Sequence, residues 1–201
     1  MTILALDTTT EQASVALRRD GVTIAEEAIT TTDGHSHLLY EMIQSVLEKS
    51  DTRLSRIDCF ASAIGPGSFT GVRLCLTAAK GLAEGTGKRA VGISNLRALA
   101  AFGSAPFRNP VIDARRGQIY TAVYDDALKL VSPEILTGAC QWETQAGVER
   151  ITTTPGLAAA IALCAELDGP DKWLDPAALD ANYVRKADAE MFWTDSGSIR
   201  T

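Results

Sequence analysis

The stretch Gly65-Pro66-Gly67-Ser68-Phe69-Thr70-Gly71-Val72-Arg73 follows an apolar run over residues 57–64 and opens a segment of helical composition. A buried strand that runs through a glycine-rich turn into a helix is the building unit of an α/β domain. Glycine permits positive φ and removes the Cβ, so the amides of Gly67, Ser68 and Phe69 are free to turn toward an anion or toward a partner's backbone. A helix N-terminus behind them adds unpaired N–H groups and a dipole that favours negative charge. The spacing is not a Walker loop, because no Gly-Lys-Ser or Gly-Lys-Thr closes it. Nor is it the dinucleotide Gly-x-Gly-x-x-Gly, whose last interval is one residue shorter. The same residues also suit a tight strand-to-helix connection with no ligand.

Upstream, an apolar run ends in Asp7 and is followed by a turn of threonines, Thr8, Thr9 and Thr10. An alternating strand over 13–17, a turn at Asp20-Gly21 and a strand over 22–29 complete a three-strand meander. Residues 35–49 place Leu38, Leu39, Met42, Ile43, Val46 and Leu47 at helical spacing, with Asp33 or Ser36 as a cap. Downstream, a helix over 70–83, a strand over 89–93 and a helix over 94–102 capped by Ser94 are expected.

The second half repeats the opening. Pro110-Val111-Ile112 runs into Asp113, a polar Arg115-Arg116-Gly117 turn follows, then a strand over 119–124, a turn at Asp125-Asp126 and an extended segment over 128–136. Two meanders, each with an aspartate where its first strand ends, indicate duplication. Residues 150–153 read as a strand and 156–167 as an alanine-rich helix after Pro155, with the last residues poorly ordered. The boundary is expected at 103–109, dividing the chain into units 1–103 and 104–201. Two α/β units imply a cleft between them, where ligands commonly sit. Aspartates at strand ends also serve as turn formers that cap backbone amides.

With 201 residues, 46% hydrophobic and 22% charged, the chain reads as an ordinary globular protein of one large or two small domains. No apolar stretch is long enough to span a bilayer and no basic n-region opens the chain, so a cytoplasmic location without membrane contact is expected. A formal charge of −6 argues against autonomous binding to a phosphate backbone, leaving local patches such as Arg115 and Arg116. The four cysteines, Cys59, Cys75, Cys140 and Cys164, contain no Cys-x-x-Cys pair, and Cys59 and Cys75 read as small buried hydrophobes. The two histidines, His35 and His37, are two residues apart, an interval that does not share a helix face. No serine or cysteine lies in a recognisable nucleophile elbow.

Four segments in order identify a family: Ile3-Leu4-Ala5-Leu6-Asp7-Thr8-Thr9, the 65–73 stretch, Gly92-Ile93-Ser94-Asn95-Leu96, and Ile112-Asp113-Ala114-Arg115-Arg116-Gly117-Gln118-Ile119-Tyr120. Together they closely resemble the TsaB (YeaZ) family, bacterial partner proteins of tRNA threonylcarbamoyladenosine synthesis. The resemblance implies an α/β fold of two ribonuclease-H-like lobes, the actin-like ATPase or sugar-kinase fold. It places Asp7, Thr8, Thr9, Gly65, Gly67, Ser68, Gly71, Arg73 and Asp113 around the remnant of a nucleotide cleft. Catalytic relatives bind a metal through a His-x-x-x-His pair that this chain lacks, which disfavours a metallopeptidase or metal-assisted transferase. The implied role is non-catalytic: binding and activation of the paralogue TsaD, with the ATPase TsaE in the full complex, a homodimer when alone, and tRNA contacted through the complex. No cofactor is required on this reading; weak ATP or ADP with magnesium in the cleft, or a nucleotide at the complex interface, are its variants. The family's shared contact is made by its first two helices, here 36–49 and 70–83, which points to His35, Leu38, Leu39, Met42, Ile43, Val46 and Val72. The apolar stripe of the first helix equally suits the chain's own core. Departures are Tyr40 and Ala181, where family members often carry proline. The rival function is an autonomous ATP-dependent kinase or hydrolase using the same cleft.

Overall fold

The computed structural model describes residues 1–30, 37–152 and 156–184. The expected caps Asp33 and Ser36, His35, Pro155 and the tail from 185 onward lie outside the described residues.

The opening meander forms as read. Strands β1 (Thr2–Asp7), β2 (Gln12–Arg19) and β3 (Val22–Thr30) pair antiparallel. Asp20 and Gly21 both take positive φ between the paired residues Arg19 and Val22, the two-residue turn whose twist matches a hairpin. Helix α1 (Leu38–Lys49) returns to β4 (Cys59–Ala63), which lies parallel to β1, and helix α2 (Phe69–Thr86) returns to β5 (Arg89–Ile93), parallel to β4. The sheet order is β3-β2-β1-β4-β5. β1 and β4 are buried at every position, as expected of central strands covered on both faces. α2 runs slightly longer than the expected 70–83: Ser68 caps its start by accepting from the Gly71 N–H, and Gly87 ends it at φ 65. The short helix α3 (Asn95–Ala100) has Ser94 as its N-cap, as its sequence predicts.

The second sheet is built from β6 (Phe107–Arg115), β7 (Gln118–Asp125), β8 (Leu130–Gly138) and β9 (Glu149–Ile151), in the order β8-β7-β6-β9. β6 pairs antiparallel with β7 and parallel with β9. This reproduces, strand for strand, the first four positions of the first sheet, although a single 3-10 turn (Ala139–Gln141) stands before β9 where α1 stands before β4. β6 begins at Phe107, inside the segment expected to be a linker, because Phe107 and Arg108 already pair with Asp125 and Tyr124.

Helix α4 (Ala158–Asp168) follows β9 in sequence yet packs on β1, β2 and β4 of the first sheet. It covers the face opposite α1. On β3, Glu27 bonds Lys49 of α1, while its neighbour Ala28 lies against Gly156 just ahead of α4. α3 packs on β6 and β7 and touches α4, so the two helices fill the space between the sheets. One apolar cluster runs from β1 through α4 and α3 to Tyr120, Ala122 and Tyr124.

Candidate functional site

Two turns meet where β1 and β4 end, and they interlock. The Ser68 N–H donates to the Thr9 carbonyl at 2.9 Å, and the Thr8 hydroxyl donates to the Gly71 carbonyl at 2.6 Å. A Cβ on Gly71 would lie 1.9 Å from the Thr8 oxygen, and one on Gly67 2.9 Å from the Thr9 oxygen. These two glycines are therefore required by the threonine backbone pressed against them. Asn95, which sequence reading left without a role, ties the joint together. Its side-chain oxygen accepts from the Gly65 N–H at 3.1 Å, its backbone N–H donates to the Gly65 carbonyl at 2.9 Å, and its side-chain nitrogen donates to the Thr9 hydroxyl at 2.5 Å. The available signal was an asparagine in the first turn of a mostly apolar helix, directly after its Ser94 cap.

A phosphate cradle needs backbone N–H groups aimed at open space. Here the Ser68 amide serves Thr9, the Gly71 amide faces the Ser68 hydroxyl, and Thr8 occupies the space beside Gly71. Two amides of the turn, those of Ser68 and Gly71, are thus taken up by the chain itself. Two open cavities lie away from this joint, one along the outer side of α1 and one beside Trp142 of the second sheet.

Asp7 and Asp113, expected to face each other across a cleft, make the same local bond in different surroundings. Asp7 is fully buried, and its Oδ1 accepts from the Thr9 N–H at 2.9 Å and the Thr9 hydroxyl at 2.6 Å. Asp113 is exposed, and its Oδ1 accepts from the Arg115 N–H at 2.8 Å. Each aspartate closes a turn onto the residue two positions on, a repeat of the duplication at atomic scale. Arg73, expected in the cleft, stacks its guanidinium 3.9 Å from the centre of the Phe69 ring.

The apolar stripe of α1 turns inward. Leu39, Met42 and Val46 are fully buried in the chain's own core, and Ile43 and Val72 nearly so, which corrects their assignment to a partner surface. Leu38 is partly buried, and His35 lies outside the described residues. The outward side of α1 carries Tyr40, Gln44 and Glu48, which with Leu47, Leu54 and Leu82 line an open groove of about 350 Å³. Cys59, Cys75 and Cys164 are buried, and Cys140 is exposed. Burial pushes the Cys75 thiol up to about 11, and the thiol donates to the Ala63 carbonyl, so it is an inert packing group. Among the described residues no three or more His, Cys, Asp or Glu side chains gather as metal ligands, and no helix is long and apolar enough to cross a membrane.

Comparison with known proteins agrees with this architecture. Residues 18–143 match the family model described as TsaD: tRNA N6-adenosine threonylcarbamoyltransferase. The chain is 40% identical over 130 residues to the tRNA threonylcarbamoyladenosine biosynthesis protein TsaB of Escherichia coli, covering 62% of this chain and 55% of that one. It is 43% identical over 126 residues to the TsaB of Haemophilus influenzae, covering 60% and 52%. The chain thus spans about half the length of the curated relatives it matches. An uncharacterized protein of Mycobacterium tuberculosis is 28% identical over 204 residues and 94% of each chain. Among solved structures, an uncharacterized protein with similarity to peptidase YEAZ from Pseudomonas aeruginosa superposes with a TM-score of 0.80 at 25% identity, covering 92% of this chain and 99% of that chain. With the family model matched over more than half its length and the family's four segments in order on this fold, the chain belongs to the TsaB (YeaZ) family.

Proposed function

We propose that this chain is a non-catalytic partner that binds and activates a TsaD-type paralogue, which transfers a threonylcarbamoyl group to the adenosine beside the anticodon of tRNA. The observation that carries this reading is the interlock of the 65–71 turn with Thr8 and Thr9. Phosphoryl transfer is catalysed by positioning and electrostatic stabilisation of the phosphates. A chain performing it from this turn would aim the Ser68 and Gly71 amides at a ligand, whereas here they face Thr9 and Ser68. That favours a scaffold over an autonomous ATP-dependent kinase or hydrolase. Family membership supports the pathway, since the curated relatives are named tRNA threonylcarbamoyladenosine biosynthesis proteins.

The partner surface on this reading is the outer side of α1 and α2, where Tyr40, 56% exposed, stands beside Leu47 and Leu82. An exposed aromatic over an apolar groove is the residue chemistry that protein interfaces favour. The chain would act in the cytoplasm, pair with itself through the same face when alone, join TsaE in the full complex and meet tRNA through its partners. It would need no nucleotide of its own.

The test is a reconstituted transfer reaction containing TsaD, TsaE, the adenylate-forming enzyme and tRNA, with this chain added or omitted. The expected result is modified tRNA only when the chain is present, although the chain alone is inert. Equal product without it overturns the role, and ATP turnover by the chain alone that is lost in Asp7→Asn establishes the rival.

A further inference from the structure

Beyond α4 the chain returns across the first sheet and is firmly anchored as far as Leu179. Trp173 Nε1 donates to the Ala165 carbonyl at 3.3 Å. Leu174 exchanges two backbone hydrogen bonds with Ala90 on β5, at 3.0 and 2.7 Å. Leu179 is 2% exposed and sits against Gly92, where an added Cβ would lie 3.0 Å from its Cδ1.

Past Leu179 the attachment changes character. Residues 180–184 form no helix or strand; Ala181 and Val184 lie partly buried against the core, and the Asn182 side chain reaches across to the second sheet. The Asn182 N–H donates to the Ile64 carbonyl at 2.8 Å, and its side-chain nitrogen donates to Glu134 Oε2 at 2.6 Å. The Asn182 carbonyl oxygen lies 3.2 Å from where a Gly65 Cβ would stand, so it covers the start of the glycine turn. The Tyr183 ring lies 6.0 Å from that of Phe69, and both remain about half exposed. Glu134 is fixed independently: Tyr124 donates to its Oε1 at 2.6 Å, and the Ser94 hydroxyl donates to the same oxygen.

We infer that residues 180–184 are a clasp that opens and closes over the glycine turn, hinged at Leu179 and latched by Asn182 on Glu134. A segment outside any helix or strand, held by the two Asn182 bonds, one exposed ring contact and the partial burial of Ala181 and Val184, opens more readily than the return behind it, which Leu174 and Leu179 keep in place. The carboxylate is suited to be the fixed half of the latch. Two hydroxyls hold it through rigid elements, and neither depends on the clasp. When closed, the clasp covers Gly65 and places Tyr183 beside Phe69; when open, it bares the Ile64 carbonyl, Gly65 and the Phe69 ring. The inference concerns this chain's own conformations and does not rest on the proposed function.

Residue-resolved hydrogen exchange on the full chain tests it, with Asn182→Asp as the first variant. That change keeps the side chain's size but sets a carboxylate against Glu134, and Asn182→Ala removes the latch without adding charge. Losing a hydrogen bond to a charged acceptor is expected to speed exchange of the Asn182 and Val184 amides by about tenfold or more. Amides of β1 and β4 should exchange as in the parent chain in both variants. Unchanged exchange at 182 and 184, parent amides there that show no protection, or acceleration throughout the first sheet would each overturn the clasp.

Discussion

Gly71 and Gly81 stand in the same helix and answer to different demands. A Cβ on Gly71 would lie 1.9 Å from the Thr8 oxygen, whereas one on Gly81 meets nothing within 4 Å. Alanine normally stabilises a helix interior relative to glycine by about 0.5–1 kcal/mol. Gly81→Ala should therefore raise stability by about that much, while Gly71→Ala should lower it by about 3 kcal/mol through overpacking against backbone that has no room to yield. Urea midpoints at unchanged m-value measure both, and two shifts of the same sign would refute the close-approach account of Gly71. The sequence made the glycines conspicuous but pointed to an anion or a partner's backbone, whereas the neighbour is the chain's own Thr8 and Thr9. That neighbour lies 63 residues earlier, and no local pattern encodes so distant a contact. Turn formation by Asp7 and Asp113 was legible because it closes within two residues. The bonds of Ser94 and Tyr124 to Glu134 were not, because they join separate elements.

At the scale of the element, α1 shows what helical periodicity conveys and what it omits. The spacing of Leu39, Met42, Ile43 and Val46 located the helix, but a broad apolar stripe states a width and not what covers it. The first sheet covers those four residues, which leaves Tyr40 and Gln44 on the outside. Leu39→Ala should therefore cost about 2–5 kcal/mol of stability, the range for emptying a packed core site. Tyr40→Asp should leave stability within about 0.5 kcal/mol, as for other surface changes. The same change should weaken association with a TsaD-type partner by at least about tenfold, the loss of one well-packed interface aromatic. Thermal unfolding and titration calorimetry separate the two effects. A Tyr40→Asp chain that is fully folded and binds as the parent does would move the partner surface away from this groove.

For the whole molecule, the repeated meander made two related sheets legible, but it did not reveal how the halves share a core. An alanine-rich helix whose residues 158–165 are all apolar has no polar face by which sequence assigns that stretch to one sheet or the other. α4 is bound to the first sheet: Arg18 pairs with Glu166 at 2.6 Å, and the Ala158 N–H donates to the Ser14 hydroxyl at 3.0 Å. Arg97 of α3 pairs with Asp168 of α4 at 2.7 Å and donates to the Leu128 carbonyl of the second half at 3.1 Å, so a single guanidinium spans both halves. Removing the second half thus strips α4 from the face of β1 and β2, and removing the first leaves α4 with no sheet to cover. The chain is expected to unfold in one cooperative transition rather than two. Far-ultraviolet circular dichroism reports both sheets, whereas the fluorescence of the three tryptophans reports Trp142 beside the second sheet, Trp173 against α4, and Trp193 outside the described residues. Coincident midpoints in urea are the expected result. Two separated transitions would show that the sheets unfold independently and that the contacts of α4 and Arg97 do not couple them.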